Sequence, residues 1–439
     1  MIPHIAFQPR RTGAGGGAQP PAVRLVPGDA NTFYLVTYAN GLARSVRFQR
    51  NLGGGTGNDL GGKWPEWRAT GEGLLTGPND DPSAPAVWIA NDPGAQDVVG
   101  NSGAKFIGSF HGLGTGGGLN SETVKIDGVA VDPTAGAKSG ATFELRNATT
   151  ATDGTNTLIR DLSVTINPAG GLHFKVNSIS ASAGIAYIYL GMGIATGAAY
   201  TEMDVKLAAA WNSIPLGAND ADARLNGTNA VRFRNPTTGH FLALTGALAA
   251  VAGYARAEVR KEAANNRSKS YLSRFTAYGS LAAVEWDLDW GLGSTGAVSP
   301  GANMLQDPSF AANWIATSGP APSVSAGVAT ITQQATGTAV RFHHPQNGCA
   351  SGSWYADSVD VGGSSPTILT IHAGSNVNGS NSSPGPAFSK PAAGAGRQIQ
   401  VFQATQADPN QRFLFDVAGA GAGGATVTLT NPATYAITG

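Results

Sequence analysis

The stretch FIGSFHGLGTGGGLNSETVKIDG, residues 106–128, decides the fold. Within it GLGTGG, 112–117, satisfies the G-x-G-x-x-G pattern of dinucleotide-binding loops. That pattern works only where a strand precedes it and a helix succeeds it, so that the helix N-terminus faces a pyrophosphate. The next residues are SETVKIDGVAVD, 121–132, in which apolar and polar positions alternate with the period of a strand. The glycines therefore read as a turn between strands. GNDLGGKW, 57–64, is a second decoy: it fits G-x-x-x-x-G-K, but Trp64 stands where a magnesium-binding hydroxyl is required. The chain carries no G-x-S-x-G elbow and no H-E-x-x-H pair.

The rest of the chain agrees with a strand reading. Its 439 residues include 61 glycines and 25 prolines, which punctuate strands and damage helix interiors. Alternating runs bounded by turn residues recur at TFYLVTYA (32–39), ARSVRFQR (43–50), ATFELRN (141–147), IRDLSVTIN (159–167), LHFKVNSIS (172–180) and IAYIYLG (185–191). Such runs imply an all-β architecture of sandwiches or barrels and not βαβ units. The Ala-rich stretch 241–275 is compatible with a helix. Asn265 and Asn266, midway between two alternating runs, favour a hairpin instead.

Composition excludes several functions. Charged residues are 13% of the chain and the formal net charge is +0, so no field favours nucleic acid. No apolar run approaches 18 residues, which argues against membrane insertion, and the start of the chain lacks a signal-peptide pattern. A lone Cys349 rules out an internal disulfide and a cysteine-based metal site. NDDP (79–82) and NDAD (219–222) offer oxygen ligands of the kind calcium takes, without EF-hand spacing, and turn chemistry accounts for them equally well. No cofactor is expected; a structural calcium ion is the alternative.

One run carries possible chemistry. VEWDLDWG, 284–291, places Glu285, Asp287 and Asp289 on one strand face and Trp286, Leu288 and Trp290 on the other. It resembles the Glu-x-Asp-x-Glu strand of laminarinase-like glucanases, with Asp289 in place of the last Glu. The resemblance implies a glycosidase pair, whereas the residues alone also fit a polar face over a Trp-lined core.

Two further resemblances organise the chain. WPEWRATG (64–71), VWIAND (87–92), KFIGSFHG (105–112) and VKIDGVAVD (124–132) together resemble a module of bacteriophage tail and fibre proteins. This implies a concanavalin-like β-sandwich over about 23–298. Leu113 stands where that family usually has an acid after His-Gly, and His111 reads as a turn histidine or a ligand contact. NMLQDPSFAANWIATSG, 303–319, resembles the opening of jelly-roll carbohydrate-binding modules through Asn303, Leu305, Phe310 and Trp314, implying a smaller jelly-roll sandwich over 299–439.

Sugars are held by aromatic faces and by amides or hydroxyls. The glycan-binding candidates are accordingly Trp354, Tyr355, His343 and His372 on strands, Asn376 and Asn378 in a long loop, and His111. Adjacent Trp354 and Tyr355 must point to opposite faces of their strand. Residues 1–22, MIPHIAFQPRRTGAGGGAQPPA, form an arm suited to attachment to other virion proteins. The expectation is a structural and adhesive virion protein: a tail fibre, head spike or receptor-binding protein, assembled in the host cytoplasm. It would be homo-oligomeric, most often trimeric, and would bind host cell-surface polysaccharide by avidity. A glycan depolymerase and a purely architectural spacer are the rival readings.

Overall fold

A computed structural model describes residues 22–437, apart from 54–62, 92–94, 104, 208–209, 227–229, 247–255, 276–283, 294–298, 300–301, 306–307, 311–313, 336–339, 346–349, 365–367, 375–387, 392–394, 405–411 and 418–422. The arm and the loop holding Asn376 and Asn378 thus lie outside the described residues. The described chain is all-β, built from sheets of six, ten, eleven and five strands joined by turns and two short 3-10 turns.

The glycine-rich stretch behaves as its alternation requires. Ser109–His111 is a 3-10 turn, closed by the His111 amide donating to the Gly108 carbonyl at 3.1 Å. A strand, Gly118–Ile126, comes after the glycines, and no helix does. Gly117 is obligatory there, because a Cβ would collide with the backbone carbonyls of Leu113 and Thr150. The Asn265–Asn266 hairpin also forms. Strands Arg256–Glu262 and Arg267–Phe275 pair across it, with Asn266 in the left-handed region at φ 49°.

The ten-stranded sheet runs in the order Ala210–Pro215, Glu202–Leu207, Ala230–Arg234, Phe241–Gly246, Val284–Gly291, Leu172–Ala181, Thr157–Ile166, Phe143–Thr152, Gly118–Ile126, Val129–Ala130. Its inner face shares one large core with the six-stranded sheet and much of the eleven-stranded one, and includes Trp286, Leu288, Trp290, Leu242 and Phe174. Trp290 crosses between layers, its indole N–H donating to the Gly73 carbonyl at 2.9 Å.

The eleven-stranded sheet spans both sides of residue 299. Ala221–Asn226 pairs in parallel with Gly396–Gln403, the one parallel pair among the described strands, and so joins the earlier strands to those of the C-terminal part. A second cluster around Val359, Ile331, Val427 and Phe310 lies in the C-terminal part.

The segments 64–71 and 105–112 meet in space, and Trp67 reaches the strand Gly118–Ile126. Trp64 packs edge-on against Phe110 at 4.9 Å, Arg68 Nη1 donates to Ser109 Oγ at 3.1 Å, and the Trp67 amide donates to Glu122 Oε2 at 2.7 Å.

Candidate functional site

The strand Val284–Gly291 shows the expected two faces. Trp286, Leu288 and Trp290 are buried, while Glu285, Asp287 and Asp289 are partly exposed on the outer face. Strand Leu172–Ala181 lies alongside, in a register that sets His173 opposite Asp287 and Lys175 opposite Glu285. His173 Nδ1 lies 2.9 Å from Asp287 Oδ1, and its Nε2 is 3.7 Å from Glu285. Lys175 Nζ reaches Glu285 Oε1 at 3.1 Å.

Asp289 sits at the end of the strand, where Asn167 Nδ2 donates to its Oδ1 at 2.8 Å. Burial pushes the Asp289 carboxyl up, and the adjacent Asp287 charge adds to this against the Asn167 hydrogen bond and the Arg44 charge. A carboxyl that keeps its proton more tightly than usual is the kind of group general acid chemistry uses.

On the other side the face continues across small residues. Asp289 is in register with Ala243, Ala243 with Arg232, Arg232 with Asp204, and Asp204 with Ser213. Arg232 is two strand spacings from Asp289, roughly 10 Å at the backbone. Its guanidinium lies 4.6 Å from the centre of the half-buried Trp211 indole, and Asp204 holds both Arg232 (2.7 Å) and Arg234 (3.1 Å). The face therefore presents carboxylates, an imidazole and an amide on one side of a small-residue floor, and an indole backed by arginine on the other.

A cleft of about 540 Å³ opens at the same end of the sandwich, between the first hairpin and the ten-stranded sheet. Asn167 is among its lining residues, and its buried side chain bonds Asp289.

The other expected residues are dispersed. His111 stacks on Phe106 at 4.9 Å within its turn. Tyr355 is 5% exposed, stacked on Phe402, and its hydroxyl accepts from the Ala350 amide at 2.9 Å. It packs the interior and leaves no ring face for a sugar. Trp354 points to the other side of the strand, where it is half-buried against the large shared core. The two do face opposite ways, but a core lies on each side because the eleven-stranded sheet is covered there on both. His343 and His372 occupy the two strands that flank Arg412–Val417, in a single row, each opposite Leu414.

The acid clusters weighed for calcium are engaged in turns. Asp80 accepts from the Gly77 amide at 2.8 Å, Asp81 from the Ser83 amide at 2.9 Å, and Asp220 from the Ala263 amide at 2.7 Å. Among the described residues no group of three or more His, Cys, Asp and Glu is arranged to hold a metal. No described helix is long and apolar enough to cross a membrane.

His173, Asn167, Trp211 and Arg232 were not singled out from sequence. Alternation in LHFKVNSIS does put His173 and Lys175 on one face. Their meeting with the acids depends on a pairing between strands more than a hundred residues apart.

No family model matches the chain, and no curated protein matches it. Among solved structures it is similar to a carbohydrate-binding module described as CBM4, at 16% identity over 28% of this chain and 94% of that one, with a TM-score of 0.25. An α-galactosidase from Lactobacillus brevis aligns at 10% identity over 61% of this chain, with a TM-score of 0.34, and the chain spans 40% of that enzyme's length. A family 43 arabinoxylan arabinofuranohydrolase from Bacillus subtilis, in complex with cellotetraose, aligns at 9% identity over 95% of each chain, with a TM-score of 0.17. At these TM-scores the function has to be argued from the site itself.

Proposed function

We infer that the protein binds glycan through the outer face of the ten-stranded sheet, as an adhesive component of a phage or phage-like particle. The observation that carries the glycan reading is the juxtaposition of Asp287, His173, Glu285 and Lys175 with the Trp211 and Arg232 pair across a floor of Ala243 and Thr245. Hydroxyl-rich ligands need such paired donors and acceptors beside an aromatic body. The particle context rests on the resemblance of the Trp64–Arg68, Phe110–Gly112 and Asp127–Gly128 motifs to tail modules. In that setting millimolar contacts become effective through several copies on one particle.

Binding to oligosaccharides by calorimetry or glycan array tests this. Asp287→Asn and Trp211→Ala are each expected to weaken affinity by about tenfold, one buried hydrogen bond or stacking contact apiece, with the fold intact. Binding unchanged in both variants would sink the assignment.

A second reading is favoured by the raised Asp289 beside Asp287: hydrolysis of the same glycan, with Asp289 as acid. Release of reducing sugar by the wild type, lost in Asp287→Asn, separates hydrolysis from adhesion. Removing 299–439 is a poor test of a spacer role, because it strips Ala221–Asn226 of its parallel neighbour.

A further inference from the structure

We propose that the outer face of the six-stranded sheet carries a separate site for a carboxylate-bearing sugar residue, centred on Arg47 between Tyr34 and Trp88. This goes beyond the glycan reading above, which concerns another sheet.

The three side chains form one row. The six-stranded sheet runs Lys138–Gly140, Val23–Asp29, Thr32–Ala39, Leu42–Gln49, Arg68–Leu75, Val87–Ala90. Phe33, Leu35, Val46 and Phe48 fill the core beneath it, so the alternate residues Tyr34 and Arg47 project outward. Tyr34 is in register with Arg47, and Arg47 with Gly71. From the next strand the Trp88 ring leans over Gly71, where a Cβ would come within 2.8 Å of it. The Arg47 guanidinium lies 5.2 Å from the centre of that indole. Tyr34, Arg47 and Trp88 are each partly exposed. The row crosses three strand spacings, roughly 14 Å at the backbone, which leaves room for a short oligosaccharide.

Their polar atoms are available. Thr70 holds Arg47 along one edge, with Nε at 3.0 Å from its hydroxyl and Nη2 at 2.8 Å from its carbonyl, and the same hydroxyl donates to Gln49 at 2.8 Å. Nη1 has no hydrogen-bond partner among the described residues, and no described carboxylate pairs with the guanidinium. The Trp88 indole N–H and the Tyr34 hydroxyl are also without hydrogen-bond partners among the described residues. The acids that act on Tyr34 are engaged in their own turns. Asp29 accepts from the Asn31 amide at 2.7 Å and Asp81 from the Ser83 amide at 2.9 Å, with the Arg24 charge acting on Asp81. A fixed guanidinium without a counter-charge selects a carboxylate, and the flanking rings take the apolar face of the sugar that carries it.

Calorimetry on the full chain tests this with trigalacturonate, sialyllactose, carboxyl-reduced trigalacturonate and a glutamate tripeptide, at about 50 and 500 mM salt. An acidic sugar is expected to bind, to weaken severalfold at the higher salt, and to lose about tenfold in affinity on carboxyl reduction. Arg47→Gln and Trp88→Ala are each expected to weaken it by about tenfold. Should either misfold, Tyr34→Phe, which deletes only a partly exposed hydroxyl, is expected to weaken it by about threefold. Equal binding of the reduced sugar would overturn the carboxylate, and equal binding of the peptide would overturn the sugar. Acidic-sugar binding that survives the folded variants yet falls in Asp287→Asn would overturn this site and leave the glycan reading standing. A wild type that binds neither acidic sugar would overturn it too, whatever neutral glycans do at the ten-stranded sheet.

Discussion

Between about pH 5 and pH 9 the folded protein is expected to lose about 4 kcal/mol of stability through Glu72 alone. Glu72 lies on Arg68–Leu75, a strand buried along its whole length, opposite Val46 on one side and Ala90 on the other. Neither carboxyl oxygen has a hydrogen-bond partner among the described residues. The cation that acts on it, Arg47, is committed to Thr70, with Nε at 3.0 Å from its hydroxyl and Nη2 at 2.8 Å from its carbonyl. Burial therefore dominates and pushes Glu72 from 4.5 up to about 8.

A raised carboxyl binds a proton in the folded state that the unfolded chain has already released. Stability is thus complete below 4.5, declines as pH rises, and is lost in full above about 8. Glu122 adds a smaller slope of the same sign. Burial lifts it to about 7, and the neighbouring Glu66 adds to this, against a hydrogen bond from the Trp67 amide. Glu262 acts on the acid limb: burial works to raise it, but Lys269 and Arg267 hold it at about 2, and their contribution is lost as pH falls toward that value. Greatest stability is therefore expected on the acid side of neutrality. Urea denaturation across this range, on wild type and Glu72→Gln, is the measurement. The variant should match wild type to within about 1 kcal/mol near pH 5 and exceed it by several near pH 9. Parallel profiles for the two proteins would show that Glu72 keeps its charge at no cost.

Glu72 also marks where sequence reading stops. Alternation in VEWDLDWG identified the acids and the core tryptophans because the strand has one wet and one dry face, and period two is visible in such a strand. In RATGEGLL the same rule fails: both faces are covered, and charged residues stand where alternation predicts solvent. Trp354 and Tyr355 fail for a related reason, because one strand there serves two cores. Pairing partners lie beyond alternation altogether. Nothing in ADARLN (221–226) or GRQIQVFQ (396–403) announces that they run side by side in parallel. Likewise His173 is an ordinary strand residue until register sets it beside Asp287. The glycine pattern at 112–117 was readable because the residues after it decide between a helix and a strand.

Glu66→Ala is expected to destabilise the fold by about 3–5 kcal/mol, through the two guanidinium groups it leaves behind. Glu66 is fully buried, and its Oε1 accepts from both Arg68 and Arg160, the latter at 3.4 Å, while those arginines are 4% and 2% exposed. Arg160 also donates to Asn147 at 2.5 Å, and Asn147 donates to the Trp67 carbonyl at 3.3 Å, so the network fastens the WPEWR segment to the ten-stranded sheet. Through Arg68 it also holds Ser109, and with it the turn that carries His111. Removing one ion from such a cluster leaves uncompensated charge in the core. Replacing Glu66, Arg68 and Arg160 together with Leu, Met and Met removes these three desolvated charges at once and leaves Glu122 beside them. The triple variant is therefore expected to regain most of the stability lost in the single one. Chemical denaturation of both separates the two contributions. A triple variant as unstable as Glu66→Ala would mean that the cluster is needed for its hydrogen bonds to Ser109 and Asn147 and not for its charge balance. In that case the position of the 109–111 turn, read from amide exchange, should loosen in both variants alike.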